Sequence, residues 1–168
     1  MDRFEITSHL ERQNIRYRIT EPPPAETIEA IDRFGLPDGE FIVKNLFLRD
    51  DKKRHYYLVV VKKDKTVDLK GLRALLGSRP LSFASEQDLS RCLGLPKGAV
   101  TPLGILNDEE RRVEAVIDEE ILRFSVVGVH PNENTATLWL APQDLVTLIK
   151  QHGNPVAVLN IQSGRRNE

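Results

Sequence analysis

Two apolar runs, FIVKNLFLRD (41–50) and HYYLVVVKK (55–63), flank the polar turn DDKKR (50–54). Runs of this length joined by a short polar turn are an antiparallel hairpin signal. Side chains alternate along a strand, so Ile42, Lys44, Leu46 and Leu48 share one face and Val43, Asn45 and Phe47 the other. Both faces are apolar. The first run is therefore a central strand that must be covered on both sides, which dictates a layered fold of helices on a sheet. The same run raises a chemical question, because burying an unpaired ammonium costs several kcal/mol even after relaxation. Either Lys44 reaches water from a strand end, or it lines a cavity where its charge has a task.

The rest of the chain supplies the covering elements. Asp2 and Glu5 form a capping-box start for a first helix, with Phe4, Ile6 and Leu10 on its apolar face. RYRIT (16–20) alternates as a short strand that the Pro22–Pro24 run stops. ETIEAIDRFG (26–35) reads as a helix ended by Gly35. Asp68 caps a helix through Leu76 with Gly77 behind it, and Ser85 caps another through Leu93 with Gly94 behind it. LPKGAVTPLGIL (95–106) is turn-rich. RVEAVID (112–118), FSVVGVH (124–130), TATLWLA (135–141) and NPVAVLNI (154–161) read as strands, and EEILR (119–123) as one helical turn. PQDLVTLIKQHG (142–153) is a helix with Pro142 at its start and Gly153 at its end.

Strands and helices interleave irregularly, so the expected fold is a mixed α+β single domain over residues 1–168, with a mixed, mostly antiparallel sheet packed by helices. A length of 168 residues with 40% hydrophobic content suits one such core. Neither standard glycine-rich phosphate loop is present. No apolar run approaches the ~20 residues of a membrane helix, and the N-terminus lacks the apolar centre of a signal peptide. The single cysteine, Cys92, excludes an intramolecular disulfide. No histidine pair has metal-ligand spacing, so no metal and no cofactor are expected. These features predict a cytoplasmic protein.

Charge is unevenly spread. The net charge is −1, yet residues 43–79 hold eleven Lys/Arg against four Asp/Glu. A basic segment on a near-neutral chain suits a polyanion, although lysines such as those of KKDK (62–65) also solvate turns. Two further stretches carry polar or conformational chemistry. GAVTPLG (98–104) combines flexible Gly98 and Gly104 with rigid Pro102, a backbone that either turns the chain or aims N–H groups at a ligand. VHPNENTATL (129–138) crowds His130, Asn132, Asn134, Thr135 and Thr137 around a Pro turn, as a plain hairpin loop or a pocket mouth.

The order of these three features, Lys-Asn in an early strand, then GAVTPLG, then VHPNENTATL, resembles the YbaK/ProX family of aminoacyl-tRNA deacylases. That family includes the editing domain of bacterial prolyl-tRNA synthetases. KNLFLRD (44–50) with HPNENTAT (130–137) is most similar to its free-standing alanyl-tRNA(Pro) deacylases, and the likeness runs from about Ile15 to Ile161. The resemblance implies the editing-domain fold and hydrolysis of the ester joining a wrong amino acid to tRNA(Pro). It makes Lys44 the catalytic group. Asn45, Gly98, Val100, Thr101, Pro102, Gly104, His130, Asn134 and Thr135 then bind substrate, with Ile28, Ile31 and Phe34 as pocket walls. Arg49, Lys52, Lys53, Arg54, Lys62, Lys63 and Arg79 would contact the phosphates of the acceptor stem. Implied partners are the acceptor end of mischarged tRNA(Pro) and prolyl-tRNA synthetase; without synthetase domains the chain would act in trans. Alternatives are the same reaction on cysteinyl-tRNA(Pro) and a catalytically silent module that binds aminoacyl-tRNA or a synthetase.

Overall fold

The computed structural model describes residues 1–21, 41–133 and 135–164. The expected helix at 26–35, with Ile28, Ile31 and Phe34, lies outside the described residues, as does Asn134.

The hairpin forms as its pattern dictates. Strand β2 (Val43–Asp50) pairs antiparallel with β3 (Tyr56–Lys62), with Lys44 opposite Val61 and Phe47 opposite Leu58. Short β4 (Leu81–Phe83) joins the far edge of β2 through Leu48–Asp50. On the other side of β3, β5 (Val113–Asp118) and then β8 (Val156–Leu159) add parallel. The result is a five-stranded mixed sheet in the order β4-β2-β3-β5-β8. A second, antiparallel sheet is ordered β1 (Tyr17–Thr20), β7 (Thr137–Leu140), β6 (Val127–Val129). The architecture is thus α+β and mostly antiparallel as expected, but its strands are split between two sheets. A parallel bridge from Ile42 to Gly128 links the sheets at the start of β2.

Both faces of β2 and β3 are covered. On one face Val43, Phe47, Tyr56, Leu58 and Val60 pack with Ile6 and Leu10 of α1 (Arg3–Arg12), Leu89 and Leu93 of α3 (Glu86–Leu93), and Leu145, Leu148 and Ile149 of α4 (Pro142–His152). On the other, Leu48, Tyr57, Val59 and Val61 pack with Leu72 of α2 (Leu69–Leu76). The helices begin and end where the caps predict. Asp2, Asp68 and Ser85 accept backbone N–H bonds, and Gly77, Gly94 and Gly153 take the left-handed conformation behind the last turns. Phe4 departs from expectation and is 76% exposed, while Ile6 and Leu10 alone carry the buried stripe of α1. The turn-rich 95–106 stretch contains a 3-10 helix, Pro102–Asn107, whose first five residues are buried.

Lys65 and Asp118 form a buried pair under these layers. Lys65 reaches Asp118 at 2.5 Å and Glu120 at 2.7 Å, and donates to the Ile161 carbonyl. Burial alone would depress the Lys65 ammonium, but the hydrogen bonds and charges of Asp118 and Glu120 raise it. Cys92 is buried, and that burial pushes its thiol up.

Candidate active site at the split beside strand β2

Between the Ile42–Gly128 bridge and the Leu48–Phe83 pair, the outer edge of β2 has no strand partner among the described residues. The Ala84 N–H closes the lower end of this split by donating to the Phe47 carbonyl at 2.9 Å. Peptide groups alternate in direction along a strand, so those of Asn45 face the split as those of Phe47 do. Three successive residues here, Lys44, Asn45 and Leu46, are half-buried, which interrupts the alternation of the strand.

Asn45 is held from above. Its Nδ2 donates to the Val100 carbonyl at 3.1 Å, which fixes the amide orientation, while its Oδ1 is buried with no hydrogen-bond partner. Val100 belongs to the 98–104 segment, whose path is set by Gly98 at φ +86° and by Gly104. A Cβ on Gly104 would stand 2.6 Å from Leu95 Cδ1, so the glycine is needed for close packing. Thr101, fully buried, donates its hydroxyl to the His130 carbonyl at 2.5 Å and accepts from the Leu103 N–H. Hydrogen bonds thus tie β2 to 98–104 and 98–104 to His130, across residues distant in sequence.

His130 is half-buried, and its Nδ1 lies 3.0 Å from the Ala136 carbonyl. A carbonyl only accepts, so Nδ1 carries a proton and donates it to this bond, which leaves Nε2 as the other ring nitrogen. Thr135 in the same loop is exposed. The neighbouring Asn132 donates from Nδ2 to the Met1 carbonyl, and Arg3 bridges Glu21 and Glu133. The first helix therefore braces the His130 loop, a link between residues more than 120 apart that no local pattern specifies.

Lys44 occupies the opposite face of β2, with Leu46 and Leu48, and its side chain makes no hydrogen bond or ion pair with the described residues. Pleating separates Lys44 from Asn45 as the sequence implies.

The basic residues do not form one patch. Lys52, Lys53 and Arg54 are exposed on the β2–β3 turn, whereas Lys62 and Lys63 lie at the other end of β3, about 20 Å away at ~3.3 Å per residue. Two expected phosphate contacts are already engaged. Arg49 is half-buried and pairs with Asp88 at 2.8 Å, and Arg79 makes a two-point pair with Asp51 at 2.6 and 3.0 Å. Asp88 also receives Tyr56 and Arg91, so Arg49 belongs to a structural network under α3. Among the described residues no cluster of His, Cys, Asp and Glu could hold a metal ion, and no helix is long and apolar enough to cross a membrane.

The chain is 44% identical over 156 residues to the prolyl-tRNA editing protein ProX of Acetoanaerobium sticklandii, covering 93% of this chain and 95% of that protein. It is 34% identical over 160 residues to the prolyl-tRNA synthetase associated domain-containing protein 1 of Danio rerio, covering 94% and 86%. A crystal structure provisionally described as a trans-editing enzyme for prolyl tRNA synthetase shares the fold at a TM-score of 0.72, with 24% identity over 96% of this chain and 97% of that one. The family model for the aminoacyl-tRNA editing domain matches residues 22–148, a span that holds β2, the 98–104 segment and His130. The chain belongs to the aminoacyl-tRNA editing domain family.

Proposed function

We propose that the protein is a trans-acting deacylase that hydrolyses the ester of mischarged tRNA(Pro), with alanyl-tRNA(Pro) as its substrate. The observation that carries this reading is the pair of hydrogen bonds, Asn45 to the Val100 carbonyl and Thr101 to the His130 carbonyl, that joins the strand bearing Lys44 to the 98–104 segment and the His130 loop. In the reaction a water oxygen attacks the carbonyl carbon, an oxyanion develops, and the bond to the ribose oxygen breaks as that oxygen takes a proton. Lys44 supplies positive charge to the developing oxyanion or the terminal phosphate, and N–H groups lining the split, that of Asn45 among them, supplement it. The ribose 2′-hydroxyl beside the ester is positioned to assist, and His130 Nε2 accepts a hydrogen bond from the water or from that hydroxyl.

A pocket excludes a larger side chain by volume far better than it rejects a smaller one. A site sized for alanine therefore spares correctly charged prolyl-tRNA. Prolyl-tRNA synthetase, which makes the error, is the natural partner of such an activity.

The test is a deacylation panel with alanyl-, cysteinyl-, seryl- and prolyl-tRNA(Pro), run with wild type and Lys44→Ala. Rapid loss of the alanyl ester, reduced at least 100-fold in a Lys44→Ala variant of unchanged melting temperature, is the expected outcome, roughly the scale of losing one oxyanion donor. A folded variant with full activity would sink the assignment, and preference for the cysteinyl ester would move the substrate.

A further inference from the structure

Strand β8 is an outer strand of the five-stranded sheet, parallel to β5 and with no strand on its other side among the described residues. Main-chain groups of successive residues face opposite ways along a strand. The Pro155 carbonyl accepts the Ala115 N–H at 2.9 Å. The groups of Pro155, Ala157 and Leu159 therefore face β5, and those of Val156 and Val158 face outward. The N–H that Pro155 lacks is thus not on the open side. Among the described residues, nothing bonds to the four outward groups.

An open edge recruits another strand unless a charge, a proline or a bulge guards it. Strand β1 carries Arg18, and β4 is three residues long and follows Arg79 and Pro80. Strand β8 has no such guard. Residues 153–164 contain no Asp, Glu, Lys or Arg, in a chain that is 29% charged. Val158 is 41% exposed, on the face of the sheet where Val156 packs against the core. An uncharged run meets a copy of itself without like-charge repulsion, and it offers a foreign strand no charge by which to be selected. Pairing across a two-fold axis satisfies both copies with the same contacts and closes the edge.

We propose that β8 is a dimerisation edge, on which two copies of this chain pair antiparallel about a two-fold axis at Ala157. Val156 of each copy lies opposite Val158 of the other. Each such pair exchanges N–H···O=C bonds in both directions, so all four open groups of each edge are used and two Val–Val pairs form. Ala157 faces its own copy at the close, non-bonded position, with Cα atoms about 4.5 Å apart. One short strand pair is a small interface, which places the dimer in the weak, reversible class. Strand β8 stands three strands from β2, roughly 14 Å at ~4.8 Å per strand, so pairing leaves the edge beside Asn45 free. The dimer does not depend on the deacylase reading.

Sedimentation velocity over a concentration series should show the wild type in a monomer–dimer equilibrium. Val158→Pro removes an outward N–H and keeps every bond to β5, so it should fold normally. Its dimer should be weaker by about tenfold or more, because two of the hydrogen bonds between the copies are gone. Ala157→Cys, mildly oxidised, should form a disulfide between copies, since the facing Cα atoms are within bridging distance and Cys92 is buried. A wild type that stays monomeric at every concentration overturns the proposal. So does a dimer that Val158→Pro leaves at full strength. Should Val158→Pro fail to fold, the cysteine variant decides, and absence of the bridged dimer overturns the pairing. A wild type that dimerises in this way yet deacylates nothing would overturn the proposed function and leave the dimer standing.

Discussion

At the scale of single residues, Asn45 and Asp88 show two uses of a buried polar side chain. Asn45 joins the central strand to the 98–104 segment through one hydrogen bond and keeps its carbonyl oxygen unsatisfied at the split. Asn45→Ala should lower kcat/KM for alanyl-tRNA(Pro) at least tenfold while costing about 1–3 kcal/mol of stability, because the Val100 carbonyl loses its donor. Steady-state kinetics beside thermal unfolding separate the roles: lost stability with unchanged kcat/KM would reduce Asn45 to a brace. Asp88, by contrast, is purely structural. Burial would raise its carboxyl, but hydrogen bonds from Ser85 and Tyr56 and the charge of Arg49 hold it below the ordinary range. A group depressed in the folded state contributes its stability above the unfolded pKa, about 4, and loses it as pH falls through the folded value. Asp88→Asn should therefore unfold at a lower temperature than wild type at pH 7. The gap should close in more acidic buffer, and melting curves from pH 7 to pH 2 would show it; a gap independent of pH would contradict the linkage.

At the scale of elements, the determining feature is that β2 serves two sheets in turn. Its start bridges to β6 at Gly128, and its end pairs with β4. Gly128 permits the bridge because a Cβ there would stand 2.8 Å from the buried Trp139 ring, which is itself fixed by a hydrogen bond from its indole N–H to Thr20. Gly128→Ala should destabilise the protein by about 1–3 kcal/mol through overpacking. It should also lower deacylation, since displaced β6 carries His130 with it. Chemical denaturation and activity assays measure the two effects, and a neutral substitution would show that the ring has room to move. The helices are less delicate, since each is specified locally by its caps.

The whole molecule shows which of these scales a sequence exposes. Caps, turns and alternation are local, so α1 through α4, the hairpin and the two apolar faces of β2 were legible. Partnership is not local. Nothing in RYRIT or TATLWLA says that they pair with each other in a sheet separate from β2, and LSF (81–83) is too short to announce itself as a strand. The same limit governs the site. Lys44, the 98–104 segment and His130 stand out by residue type, but the bond from Thr101 to the His130 backbone spans 29 residues. The basic segment shows the same limit. A count of charges cannot reveal that Arg49 is committed to Asp88 or Arg79 to Asp51, nor that the remainder sits at two ends of a hairpin.

The burial of Cys92 has a practical side. The chain's one thiol lies inside the core with its ionisation pushed up, so it is shielded from electrophilic dyes. A cysteine introduced at the exposed turn position Lys53 would thus be the single reactive handle, without any need to strip the native one. A fluorophore there sits on the β2–β3 turn, and its energy transfer to a dye on the RNA would report where the acceptor stem comes to rest.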